Sequence, residues 1–201
     1  MGEDNRAPND VNMKGMGALH DLLHGGLWHT TRPSRVPSIV SAGEIMVEPN
    51  IDDKERWGTR DHPPFVRKIG GISLFDFRGF DPEQYSASHP LSSWQYFVPH
   101  RGDWGGAVWL SIDHAAISHS FVSTDEIVER WDVTGNRSHN VMPRIEAAHL
   151  GDLSISAINS AFLTWDGGRE VRDFDMRSFD PCHFDQIMNE WHMAKRIGSK
   201  R

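Results

Sequence analysis

The chain has 201 residues, with 21 Lys and Arg against 28 Asp and Glu for a formal net charge of −7, and one cysteine, Cys182. That length buries a core without covalent staples and fits a single domain, and a lone cysteine excludes a disulfide framework. The acidic balance argues against a general nucleic-acid coat, and no apolar run approaches the roughly eighteen residues of a membrane span. The polar opening residues hold no apolar signal core, so a cytoplasmic setting without a membrane is expected. Eight Trp against two Tyr, and 12 His, depart from average usage, while 18 Gly and 11 Pro promise many turns.

Residues 1–16 are polar and patternless and read as a flexible arm before one domain over 17–201. Ala18–Leu23 predicts a short helix stopped at Gly25 and Gly26, and Leu27–Thr30 a short strand. Val36, Ile39 and Val40 take helical spacing behind Pro37, with Gly43 as the residue after the helix end. Ile45–Val47 resumes an extended path. Residues 48–68 form a long polar loop with Pro63 and Pro64, of the length that in compact domains is functional. Gly71–Phe77 alternates with period two and predicts a half-buried strand.

Residues 78–103 read as loop. Ala107–Ile112 is a strand, with Asp113 capping a helix over 114–118. Ser123 and Glu126 form a capping box for a helix to Arg130. Val141–His149 and Ala161–Trp165 are strand candidates, with a helical turn at Ser154–Ile158. Asp180 and Pro181 start a closing helix whose apolar stripe is Phe184, Ile187, Met188 and Trp191. Short strands, short helices and long loops make an α+β domain.

Chemistry concentrates in three segments. Glu146 lies inside an apolar run, where a carboxylate is costly unless it faces a cleft or has a partner. His29 closes the first strand, and Ser73, Phe75 and Phe77 lie on the central one. Arg67 and Lys68 stand just before it. His114 and His119 lack the spacing or companions of a metal site, and Cys182 lacks the partners of a catalytic thiol, so no metal is expected.

The segment 27–43, LWHTTRPSRVPSIVSAG, resembles the opening motif of the ADP-ribosyltransferase superfamily, in which a strand ending in His precedes a helix of this form. Gly71–Phe77 resembles the family's central motif. The segment around Glu146, with its following turn to Ile158, resembles the last motif, and the likeness is nearest to the DNA-targeting ADP-ribosyltransferase toxins. His29 and Glu146 are 117 positions apart. The resemblance implies two small, mostly antiparallel sheets forming a cleft flanked by short helices. It implies NAD as co-substrate, bound by His29, Thr30, Thr31, Ser73, Phe75, Phe77 and Arg67.

In that scheme Glu146 stabilises the oxocarbenium-like state as the nicotinamide–ribose bond breaks, and His29 holds a ribose. Thr30 meets the carboxamide through its backbone, Phe75 or Phe77 stacks on nicotinamide, and Arg67 with Lys68 neutralises the pyrophosphate. Arg144 stands where relatives that modify protein side chains carry Gln or Glu. The macromolecular acceptor is left open among DNA, RNA and protein, with nucleic acid fitting Arg144 better. Two other functions stay open: RNA 2′-phosphate transfer to NAD, and a non-catalytic binding module with a Trp-rich cleft built on Trp57, Trp94, Trp104 and Trp109.

Overall fold

The computed structural model describes residues 10–52, 55–56, 63–88, 106–134 and 141–198. Its frame is an antiparallel sheet of seven strands with two further strands paired beside it. In chain order the strands are β1 (Leu27–Thr31), β2 (Glu44–Ile45), β3 (Gly71–Asp76), β4 (Gly106–Ile112), β5 (Phe121–Val122), β6 (Glu146–Leu150), β7 (Leu153–Ser154), β8 (Ile158–Trp165) and β9 (Glu170–Phe174). The large sheet runs β5-β6-β3-β1-β4-β8-β9, and β2 pairs with β7. The α+β class is as expected. The architecture differs from two small sheets, because β1 pairs with β3 on one side and β4 on the other and so joins both halves.

Among the described residues, seven α-helices surround the strands: α1 (Asp10–Leu23), α2 (Val36–Ala42), α3 (Phe65–Lys68), α4 (Pro82–Ser88), α5 (His114–Ile117), α6 (Thr124–Val133) and α7 (Pro181–Gly198). None is long and apolar enough to cross a membrane. The central strand β4 is buried nearly throughout, and the pleat divides its side chains between two layers. Val108, Leu110 and Ile112 join Leu74, Leu163 and the α7 stripe of Phe184, Ile187 and Trp191. Ala107 and Trp109 join Trp28, Phe75 and Phe162 under Leu19 and Leu23 of α1. A smaller cluster seats Phe65 and Val66 of α3 and Ile127 of α6 over Ala148.

Local signals place many of these elements. Gly43 ends α2 at φ 76°, donating to the Ile39 and Val40 carbonyls, a left-handed position that suits glycine. Ser123 and Glu126 form the reciprocal capping box of α6, and Asp113 caps α5. Elsewhere tertiary contacts decide. α1 starts at Asp10, inside the span read as an arm, because Leu19 and Leu23 pin the helix to the sheet. Gly168 leaves room for it: a Cβ there would stand 2.6 Å from the Leu19 backbone. β6 begins at Glu146 rather than Val141, because Met142–Ile145 is a turn with Arg144 at φ 64° and two amides bonded to the Met142 carbonyl. α3 and α4 form inside stretches read as loop, and β9 is an added edge strand whose charges suit an edge.

Leu74 is fully buried at the middle of the sheet. Leu74→Ala is expected to cost about 2–5 kcal/mol in urea unfolding, the range for a cavity that the sheet cannot collapse to fill.

Candidate functional site

β1 and β3 pair only at Leu27 with Asp76 and Trp28 with Phe75. Beyond that point β1 stays on β4 as far as Thr31, and β3 stays on β6 back to Gly71. The sheet therefore forks, and a groove of about 470 Å³ at the fork is bordered by His29, Thr30, Thr31 and Ser73. One side chain spans the fork: His29 Nδ1 lies 3.0 Å from the Ser73 carbonyl. On the side still paired with β4, Thr30 Oγ1 donates to the Val108 carbonyl at 3.1 Å. A carbonyl only accepts, so Nδ1 carries the proton and the neutral ring keeps Nε2 as an acceptor. Burial holds this imidazole below its ordinary 6.5, with the Ser73 bond opposing.

Ser73 also faces the other way. Its hydroxyl donates to Glu146 Oε1 at 2.8 Å, while the Met142 amide donates to Oε2 at 3.1 Å. Glu146 is 4% exposed and does not border the groove; Ser73 stands between them. Burial pushes the Glu146 carboxyl above the ordinary carboxylate range, and the Ser73 and Met142 bonds pull it back. Three strands thus converge on one serine, which holds the histidine with its main chain and the carboxylate with its side chain.

Other expected site residues fare differently. Phe75 and Phe77 are 3% and 0% exposed, stacked on each other, and Phe75 meets Trp109 edge-on. Neither ring offers a face to a ligand, because the pleat turns both into the α1 layer. Trp109 is buried in the same layer, which removes it from any aromatic cleft; Trp57, Trp94 and Trp104 lie outside the described residues. Lys68 is exposed and away from the groove, whereas Arg67 lines it from α3.

Three further arginines border the groove and were not singled out from sequence: Arg32, Arg35 and Arg56. The first two lie within the segment 27–43 itself, a position that could have pointed to them. Arg35 forms an ion pair with Glu55. Arg67 forks onto both oxygens of Glu48 at 2.7 Å, and Arg56 reaches the same carboxylate at 2.6 Å. The Arg67 and Arg56 bonds outweigh desolvation and hold Glu48 down to about 2. The buried His149 is spent structurally, between the Ser120 hydroxyl and the Asp152 carbonyl. Among the described residues no group of three or more His, Cys, Asp or Glu is arranged for a metal.

No family model matches the sequence, and no curated protein does. Among solved structures, the chain is similar to a mutant of the Escherichia coli heat-labile enterotoxin that lacks activity without conformational change. The identity is 11%, the match covers 76% of this chain and 77% of that one, and the TM-score is 0.38.

The two titrating groups act on stability in opposite senses. The raised Glu146 favours its protonated form in the fold, so its contribution is complete below about 4.5 and declines as pH rises through its folded value. The lowered His29 favours its neutral form, so its contribution is complete above 6.5 and is lost as pH falls through its folded value. Ser73→Ala strips one donor from the buried carboxyl and is expected to cost about 1–3 kcal/mol. The loss should be larger at neutral than at acidic pH in denaturant titrations, because the removed bond favours the ionised form.

Proposed function

We propose that the groove binds NAD and that the chain is an ADP-ribosyltransferase. The observation that supports this reading most is the double attachment of Ser73, to His29 and to Glu146, at the mouth of a groove rich in arginine. It joins the three segments that carry the family resemblance. In the reaction, the bond between nicotinamide nitrogen and the ribose anomeric carbon breaks, and nicotinamide leaves with the electron pair. An acceptor nucleophile then bonds to that carbon and gives up a proton. His29 Nε2 accepts from a ribose hydroxyl, and Thr30 meets the carboxamide through its backbone. The Glu146 charge, carried toward the groove through the Ser73 hydroxyl, stabilises the developing oxocarbenium. No aromatic stack is assigned, since Phe75 and Phe77 are enclosed.

The acceptor we assign is a nucleic acid. Arg144, exposed two residues before Glu146, offers a cation to a phosphate and lacks the amide or carboxylate that would orient a protein side chain. The groove arginines also favour a second reading, 2′-phosphate transfer from RNA to NAD, because that reaction must grip an added phosphate.

Nicotinamide release from NAD, followed by chromatography, tests the first reading. Glu146→Gln, nearly isosteric, is expected to slow release by about a hundredfold or more while the protein stays folded by circular dichroism. Release at the wild-type rate would end the assignment. Activity needs Glu146 ionised and His29 neutral, so the rate should fall on acidification, with the acid limb above 4.5. Consumption of a 2′-phosphorylated oligonucleotide with NAD, and not of its unphosphorylated twin, would select the second reading.

A further inference from the structure

We propose that Glu48 stands in for an anionic ligand on Arg67, the residue already expected at a pyrophosphate, and on Arg56, and that it yields its place when a pyrophosphate arrives. One carboxylate takes three guanidinium contacts: Arg67 Nε to Oε1, Arg67 Nη2 to Oε2 and Arg56 Nη1 to Oε2, at 2.7, 2.7 and 2.6 Å. Two neighbouring oxygens of a phosphate present the same pattern, and planar guanidinia select it. The inference deepens the NAD reading and rests on it for the identity of the pyrophosphate's carrier.

The asymmetry of the cluster decides which partner yields. The Arg67 and Arg56 side chains are 26% and 16% exposed and form part of the groove wall, whereas Glu48 is 57% exposed. Arg56 is also tied to the Pro49 carbonyl at 2.5 Å, so its guanidinium keeps an anchor when the carboxylate leaves. An exposed ion pair adds little net stability, because water and salt compete for both charges. A pyrophosphate brings more charge and more acceptor oxygens than one carboxylate, and it displaces Glu48 on those grounds. Arg35 with Glu55 repeats the pairing in the same groove. The chain therefore supplies its own counter-ions to a cationic cleft, which keeps neighbouring guanidinia from repelling one another while the groove is empty of ligand.

Calorimetric titration of the full chain at low ionic strength tests this, with ADP-ribose and inorganic pyrophosphate as separate probes. Glu48→Gln is expected to tighten both about threefold to tenfold, and Arg67→Gln to weaken both about tenfold. In the wild-type chain the ¹⁵N resonance of Arg67 Nε should shift as either probe saturates. Affinities unchanged or weaker in folded Glu48→Gln would overturn the inference, as would a still Arg67 resonance under saturating ligand. Pyrophosphate binding tightened by Glu48→Gln, with no nicotinamide release from NAD, would uphold the subsite and defeat the transferase reading. Release from NAD with indifference to Glu48→Gln would do the reverse.

Discussion

The parting of β1 from β3 after two residue pairs is the constraint from which the candidate site follows. Strands that remained paired would satisfy their own backbone groups and leave no opening. Where the ladder stops, a donor must come from a side chain, since an orphaned backbone group inside a fold costs about as much as a lost hydrogen bond. His29 meets that demand at the Ser73 carbonyl, and the Ser73 hydroxyl turns to Glu146. The same contact fixes the histidine's tautomer and leaves Nε2 as its acceptor nitrogen, while Ser73 presents Glu146 with one of its two donors. Structure and chemistry are thus served by one set of bonds.

Burial of Glu146 has two consequences that oppose each other. It raises the cost of the ionised form, and it strengthens any field that the ionised carboxylate casts into the groove, because little water intervenes. The two donors on its oxygens moderate the first without removing the second. A surface carboxylate at the same spot would ionise freely and be screened.

The charge of the whole chain gives no hint of the groove. A molecule with an excess of acids gathers Arg32, Arg35, Arg56 and Arg67 around one opening, and places Glu48 and Glu55 against three of them. Only one of the four was read as a ligand contact from sequence, because arginines far apart along a chain carry no mark of sharing a wall. Trp109, one of the four residues counted toward a Trp-rich cleft, is lost to it for the complementary reason: its indole falls on the inward face of β4, and exposure cannot be read from composition.

Much of the secondary structure was legible, and the reasons are local. The Ser123 and Glu126 box, the left-handed Gly43 and the stripe of α7 are encoded within a few residues of where they act. The nearness of His29 to Glu146 was legible only through a resemblance of motifs, and what joins them, Ser73, was one named residue among several. What the amino-acid order determined by itself was where segments begin, end and turn, since caps, periods and left-handed glycines are short-range effects. Tertiary structure alone decided that β1 bridges two half-sheets, that Phe75 and Phe77 face inward, and that four arginines meet, because each depends on which distant strand lies alongside and on which face the pleat then presents.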